Sequence, residues 1–163
     1  LTSARAVGLV LVASVIVLGS ALLSQYVGGL QPCVLCLYQR VPYVLTIVLS
    51  GSALALVMFG GRPRWALTRW VLAVCAVIFL AGAGIAAFHV GVEQGWWTGT
   101  ASCSSPDLNA MTVDELREHL LQAPIVRCDE VAWSLLGISM AGYNILTSLA
   151  LTGGCAWLAR AKG

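Results

Sequence analysis

The sequence predicts an all-α membrane protein, a bundle of four transmembrane helices with a short amphipathic helix in the second outer loop. Three observations carry that prediction. Apolar residues make up 59% of the 163 residues and charged residues only 10%, with a mean hydropathy of +0.88, far from the balance of an ordinary globular domain. The few charges leave four uncharged runs, Ala6 to Gln39, Val41 to Gly61, Trp70 to Val92 and Val131 to Ala159. A helix needs about 20 apolar residues to cross the hydrocarbon core, so each run supplies one span. Finally, the cationic residues between the runs are unequally shared between alternate loops.

Taken in order, the spans are expected at about 6–27, 41–60, 70–92 and 133–158, with outer loops at about 28–40 and 93–130, all in a single domain covering 1–163. The first run also invites comparison with a cleaved signal, because Arg5 precedes an apolar stretch with small residues. A signal's apolar core is shorter, and three more spans follow, so a retained helix is the better reading. The chain opens on Leu1 rather than Met, which leaves its natural start undetermined.

Charge sets the orientation. If the chain threads in-out-in-out-in, Arg5, Arg62, Arg64, Arg69, Arg160 and Lys162 share one side, and only Arg40, Arg117 and Arg127 fall on the other. All seven acidic residues, Glu93, Asp107, Asp114, Glu115, Glu118, Asp129 and Glu130, join the second group. Short loops rich in Lys and Arg stay cytoplasmic. Both termini and the loop around Gly60 to Arg69 are therefore read as inside. The net charge of +2 hides a segregated surface with no basic stripe for nucleic acid.

Cysteine placement agrees with this orientation. Cys33, Cys36, Cys103 and Cys128 fall on the outer side, where oxidising conditions let disulfides persist. The first two form a Cys33-Val34-Leu35-Cys36 motif. Thiols at that spacing can close into a small, reducible disulfide, and their thiolates are the nucleophiles of thiol-disulfide exchange. Cys75 and Cys155 lie inside apolar runs and read as small buried hydrophobes. Cys103 and Cys128 bracket the long outer loop, where a bridge would stabilise the folded chain by roughly 3 to 4 kcal/mol in the chain-entropy model. A purely structural bridge is the plain alternative there.

The loop has its own order. Thr112-Val113-Asp114-Glu115 reads as a capping box. Val113, Leu116, Leu120 and Leu121 then share an apolar face until Pro124 stops the helix. Such a helix beside a membrane lies on the bilayer surface. Ser102-Cys103-Ser104-Ser105-Pro106 is polar and turn-prone, as an exposed segment engaged by another protein would be.

Several other residues share the depth of the first cysteine pair. Arg40 follows Cys36 by four residues, so on a continuous helix guanidinium and sulfur share a face. A fixed positive charge favours a thiolate at Cys36; the alternative is an interfacial arginine reaching toward lipid headgroups. His89, near the outer end of the third span, is placed to hydrogen-bond a carbonyl or carry a proton, or is simply an interfacial residue with a satisfied ring. Trp96, Trp97, Trp133 and Tyr38 read as aromatic-belt residues.

The run Cys33-Val-Leu-Cys-Leu-Tyr-Gln-Arg40 between two spans, a second cysteine pair in the next outer loop, and Cys128-Asp-Glu-Val-Ala-Trp-Ser-Leu-Leu-Gly-Ile-Ser-Met140 entering the last run closely resemble the DsbB family of bacterial inner-membrane disulfide-generating proteins. The resemblance covers almost the whole chain. It implies an oxidoreductase that reoxidises a periplasmic thioredoxin-fold oxidant of the DsbA type and passes two electrons to a membrane quinone, ubiquinone or menaquinone. By position it implies that Cys103 receives the partner's thiol, that Cys128 is released to attack Cys33, and that Cys36 is left as a thiolate facing the quinone, with Arg40, His89 and Met140 around it.

Physical logic points the same way. A strongly oxidising partner cannot be regenerated by an ordinary structural disulfide, so an external acceptor must pull the reaction forward. A lipid-soluble quinone can reach the first cysteine pair, and no haem motif or iron-sulfur spacing is present. Two other classes match parts of the pattern. A four-helix enzyme resembling vitamin K epoxide reductase would carry its quinone-facing CxxC on the last helix, whereas here it precedes the second span. A non-enzymatic zinc protein would use the four outer thiols as ligands.

Overall fold

The computed structural model describes residues 3–60, 65–100, 103 and 127–160. Along the chain run α1 (Ser3–Tyr26), α2 (Val34–Tyr38), α3 (Val41–Phe59), α4 (Trp65–Glu93), the strands β1 (Ser134–Leu135) and β2 (Ile138–Ser139), and α5 (Met140–Arg160). Three stretches, Ala4–Tyr26, Val34–Phe59 and Trp65–Glu93, are long and apolar enough to cross a membrane. The amphipathic helix expected after Thr112 lies outside the described residues.

Apolar composition explains these helices, since an apolar medium leaves backbone groups no partner except the chain's own ladder. Pro42 near the start of α3 is tolerated because the first helical N–H groups have no intrahelical acceptor. The fourth long helix, α5, is 21 residues. Tyr143, Asn144, Thr147, Ser148 and Thr152 make it more polar than the others, so composition alone does not mark it as a span.

Boundaries differ from expectation at two places. The last uncharged run does not begin as helix at 133: Ser134 pairs with Ser139 and Leu135 with Ile138 in a short antiparallel hairpin. Leu136 and Gly137, with φ of 51° and 78°, supply the left-handed pair that a two-residue hairpin turn requires. Ser139 then caps α5, its hydroxyl oxygen accepting the Gly142 N–H at 3.2 Å. The third helix also starts earlier than 70, at Trp65.

Within the bundle α4 packs along α5 and α3, and α1 packs along α3. One buried cluster contains Ala6, Val10, Tyr43, Leu72, Cys75, Phe79, Cys155 and Leu158. Cys75 and Cys155 thus act as small core residues. Arg69 Nε donates to the Ala159 carbonyl at 3.0 Å, tying the start of α4 to the end of α5. A second cluster, Cys33, Leu35, Val92, Cys103 and Cys128, lies by the other end of α4. Outward residues such as Leu9, Ile16, Val48 and Val77 remain exposed, as side chains facing hydrocarbon do.

Trp97 folds back over α4. Its Nε1 donates to the Phe88 carbonyl at 2.9 Å, and its ring stacks on Phe88 with centroids 5.8 Å apart. This placement uses the bare face of Gly91, where a Cβ would fall inside the Trp97 ring. Gly91→Ala should therefore destabilise the detergent-solubilised protein by about 1–3 kcal/mol through overpacking. In a Trp97→Ala background the same change should become nearly neutral in thermal unfolding; an undiminished cost there would show that Trp97 does not occupy that face.

Candidate functional site

The connection between α1 and α3 folds into the short helix α2, with Cys33 as its N-cap residue. Cys33 Sγ accepts the Cys36 backbone N–H at 3.3 Å, and the two sulfurs share a hydrogen bond at 2.9 Å. Both cysteines are free, whereas Cys103 and Cys128 are joined in a disulfide with Cα atoms 5.2 Å apart. Two of the four thiols that the zinc reading needs are thus tied to each other. All four cysteines nevertheless gather in one place: Cys33, Cys103 and Cys128 share a buried cluster with Leu35 and Val92, and Cys36 packs against it.

His89 reaches this cluster from α4. The ring is 3% exposed, with Nε2 3.5 Å from Cys33 Sγ and 3.9 Å from Glu93 Oε1. The Cys33 thiol is pulled down to about 4, first by the Cys36 thiol and then by His89 and the Cys36 N–H, with burial opposing them. The donors therefore converge on Cys33. The ligand atoms of Cys33, Cys36 and His89 all lie within 4.8 Å of one another, a set of soft donors that also suits a transition-metal ion.

Arg40 lies outside α2, at the N-cap of α3, so the continuous helix assumed for a shared face with Cys36 is interrupted at Gln39 and Arg40. Its guanidinium donates to Gln25 Oε1 of α1 at 2.6 Å. Cys103 is buried, not exposed as its Ser- and Pro-rich setting suggested. The disulfide draws it against Leu35 and Val92, and the Thr100 hydroxyl donates to its sulfur at 3.3 Å. Met140 stands at the first turn of α5, placed there by the hairpin and the Ser139 cap.

A cavity of about 450 Å³ opens beside the first cysteine pair, and Cys33, Cys36, Arg40, His89 and Met140 all line it. That volume falls within the roughly 300–1,000 Å³ of ordinary ligand sites. The remaining wall is largely apolar, from residues such as Val17, Leu18 and Ala21 of α1. A flat, apolar ring with polar edges fits such a donor set.

Sequence reasoning missed five polar residues here. Gln39 Nε2 donates to His89 Nδ1 at 2.7 Å, Asn144 Nδ2 donates to Gln39 Oε1 at 2.6 Å, and the Tyr43 hydroxyl donates to Asn144 Oδ1 at 2.5 Å. Glu93 Oε2 accepts from the Ser139 hydroxyl at 2.5 Å. The available signal was polarity out of place: Asn144 interrupts an uncharged apolar run, and such residues usually face an interior or a pathway.

Comparison with known proteins follows from this geometry. Similar chains include an uncharacterized protein of Rickettsia prowazekii, 29% identical over 140 residues that cover 85% of this chain and 77% of the relative. Disulfide bond formation protein B of Acinetobacter baumannii is 28% identical over 155 residues, 92% of this chain and 86% of the relative. The protein of the same name from Neisseria meningitidis is 29% identical over 167 residues, 97% and 96% respectively. No solved structure matches. The family model described as disulfide bond formation protein DsbB runs from residue 3 to 158 and takes in every residue of the site, so the chain belongs to the DsbB family and is a multi-pass membrane protein-disulfide oxidoreductase.

Proposed function

We propose that the protein generates disulfides by reoxidising a DsbA-type periplasmic thiol oxidase and passing two electrons to a membrane quinone, ubiquinone or menaquinone. One observation carries this reading: two cysteine pairs share a buried cluster at the wall of an apolar cavity. In the proposed order, a partner thiolate attacks Cys103, forming a mixed disulfide and expelling Cys128. Cys103 retains slight exposure, 5% against 0% for Cys128, which favours it as the point of attack. The freed Cys128 thiolate then attacks Cys33 in the oxidised first pair, breaking that bond and leaving Cys36 as a thiolate on the cavity wall.

Arg40, His89 and Met140 would hold the quinone, which when bound supplies an acceptor for two electrons and two protons. Arg40 offers a permanent positive charge, and its bond to Gln25 holds the guanidinium toward α1. Burial of the cysteines keeps stray thiols and water from short-circuiting the exchange. The arginine-rich loop supports a bacterial inner-membrane placement with both termini cytoplasmic, four spans including α5, and the cysteines facing the periplasm.

Purified protein should catalyse quinone-dependent oxidation of a reduced DsbA-type protein over many turnovers. Cys36→Ser should abolish quinone reduction yet still allow about one equivalent of partner to be oxidised, because the Cys103–Cys128 bridge needs no quinone to be attacked. Continued multiple turnover with quinone in that variant would refute the route. For the orientation, a cysteine replacing Arg62 in intact cells should resist a membrane-impermeant thiol reagent that labels the reduced Cys103 and Cys128 region; labelling at position 62 from outside would invert the topology.

A further inference from the structure

The hydrogen bonds around His89 have a direction. The Tyr43 hydroxyl donates to Asn144 Oδ1 at 2.5 Å, and Ser148 Oγ approaches the same oxygen at 3.4 Å. That leaves Asn144 Nδ2 to donate to Gln39 Oε1 at 2.6 Å, and Gln39 Nε2 to donate to His89 Nδ1 at 2.7 Å. An imidazole nitrogen that accepts carries no proton. The proton of the neutral ring is then on Nε2, which faces two acceptors, Cys33 Sγ at 3.5 Å and Glu93 Oε1 at 3.9 Å.

Reversing the chain is the alternative, since amide orientations follow the network rather than stand alone. Turning both amides would put the proton on Nδ1 and aim the Nε2 lone pair at the Cys33 sulfur and the Glu93 carboxylate. Two electron-rich groups would then face a third in a buried setting, an arrangement that low dielectric makes costly. Gln39 is 7% exposed, Tyr43 3% and Ser148 1%, so water does not readily substitute for any missing partner.

We infer that Gln39, held by Asn144 and Tyr43, is a positioning residue that keeps the His89 proton on Nε2, aimed at the Cys33 sulfur. Gln39 touches no cysteine itself; it acts through the ring. The charged and titratable groups that face this ring or line the same cavity are Cys33, Cys36, Arg40, Tyr43, Glu93, Arg127, Glu130 and Tyr143, and the Cys128 backbone also reaches the ring. Gln39 is the side chain that bonds Nδ1, at 2.7 Å. The importance of this proton for turnover rests on the redox reading above, but the position of the proton does not.

The test reads that position directly. In the full reduced chain carrying His119→Gln, so that His89 is the remaining histidine, imidazole ¹⁵N NMR at a pH where the ring is neutral should give a protonated Nε2 and a bare Nδ1. Gln39→Leu should replace that single tautomer with a mixture, and Asn144→Leu, which leaves Gln39 in place but unanchored, should move in the same direction. A bare Nε2 in the parent chain, or an unchanged spectrum in Gln39→Leu, overturns the proposal, whatever quinone assays report.

The pH dependence of iodoacetamide labelling at Cys33, read by mass spectrometry, supplies the second measurement. A thiol lowered to about 4 remains thiolate as the pH falls until it passes that value, so parent-chain labelling should vary little between about pH 8 and pH 5. Gln39→Leu should raise the midpoint by about one unit, slowing labelling about tenfold below the new midpoint. Gln39→Glu, which can accept from Nδ1–H and keep a charged ring aimed at sulfur, should restore the low midpoint. If Gln39→Glu shifts as far as Gln39→Leu, the effect is lost packing and the positioning role fails.

Discussion

The Gln39 side-chain amide joins the helices around the cavity. One end bonds His89 of α4 at 2.7 Å, and the other accepts from Asn144 of α5 at 2.6 Å. Asn144 in turn takes the Tyr43 hydroxyl of α3. Side chains surrounded by apolar helices cannot fall back on water, so an unpaired amide there is expensive and a paired one specifies geometry. Position in three dimensions follows from that requirement: α3, α4 and α5 meet where their polar groups can satisfy each other, and the cavity opens on the same level.

Chemistry is built around that junction rather than on top of it. The Cys36 thiol, its backbone N–H and the His89 ring converge on one sulfur, that of Cys33. Glu93, held by the Ser139 hydroxyl, faces the same Nε2 edge of the ring, and the same Ser139 caps the helix that presents Met140. Arg40 turns instead toward Gln25 of α1. A thiol-disulfide relay needs sulfurs that can approach one another while staying shielded from other thiols, and a shared buried cluster meets both demands. The Cys103–Cys128 bridge lies inside that cluster.

Gly91 and Trp97 illustrate how a membrane bundle closes over such a site. Lipid offers little hydrophobic gain for bringing helices together, and tight contact depends on small residues and on hydrogen bonds between elements. The Trp97 ring covers the bare face of Gly91 and donates to the Phe88 carbonyl, sealing the end of α4 next to Val92 and the cysteine cluster. The chain beyond α4 is thereby led back toward Cys103.

Much was legible in the linear chain: the apolar helices, the separation of charge between alternate loops, and the presence of two cysteine pairs in the connections. These are local properties: an apolar run of sufficient length reads the same wherever it is packed, and the bilayer acts on it as a simple solvent. The resemblance also named His89 and Met140, and both stand on the cavity wall. Tertiary structure decided what those residues meet. Gln39 and Asn144 are 105 positions apart, Gln39 and His89 are 50, and no spacing rule links them. It decided too that the last run turns through a hairpin before becoming helix at Met140, that Cys103 is buried despite its polar neighbours, and that the convergent donors favour Cys33. Each of these depends on which polar group finds which partner once water is gone, a pairing that only the packed helices can specify.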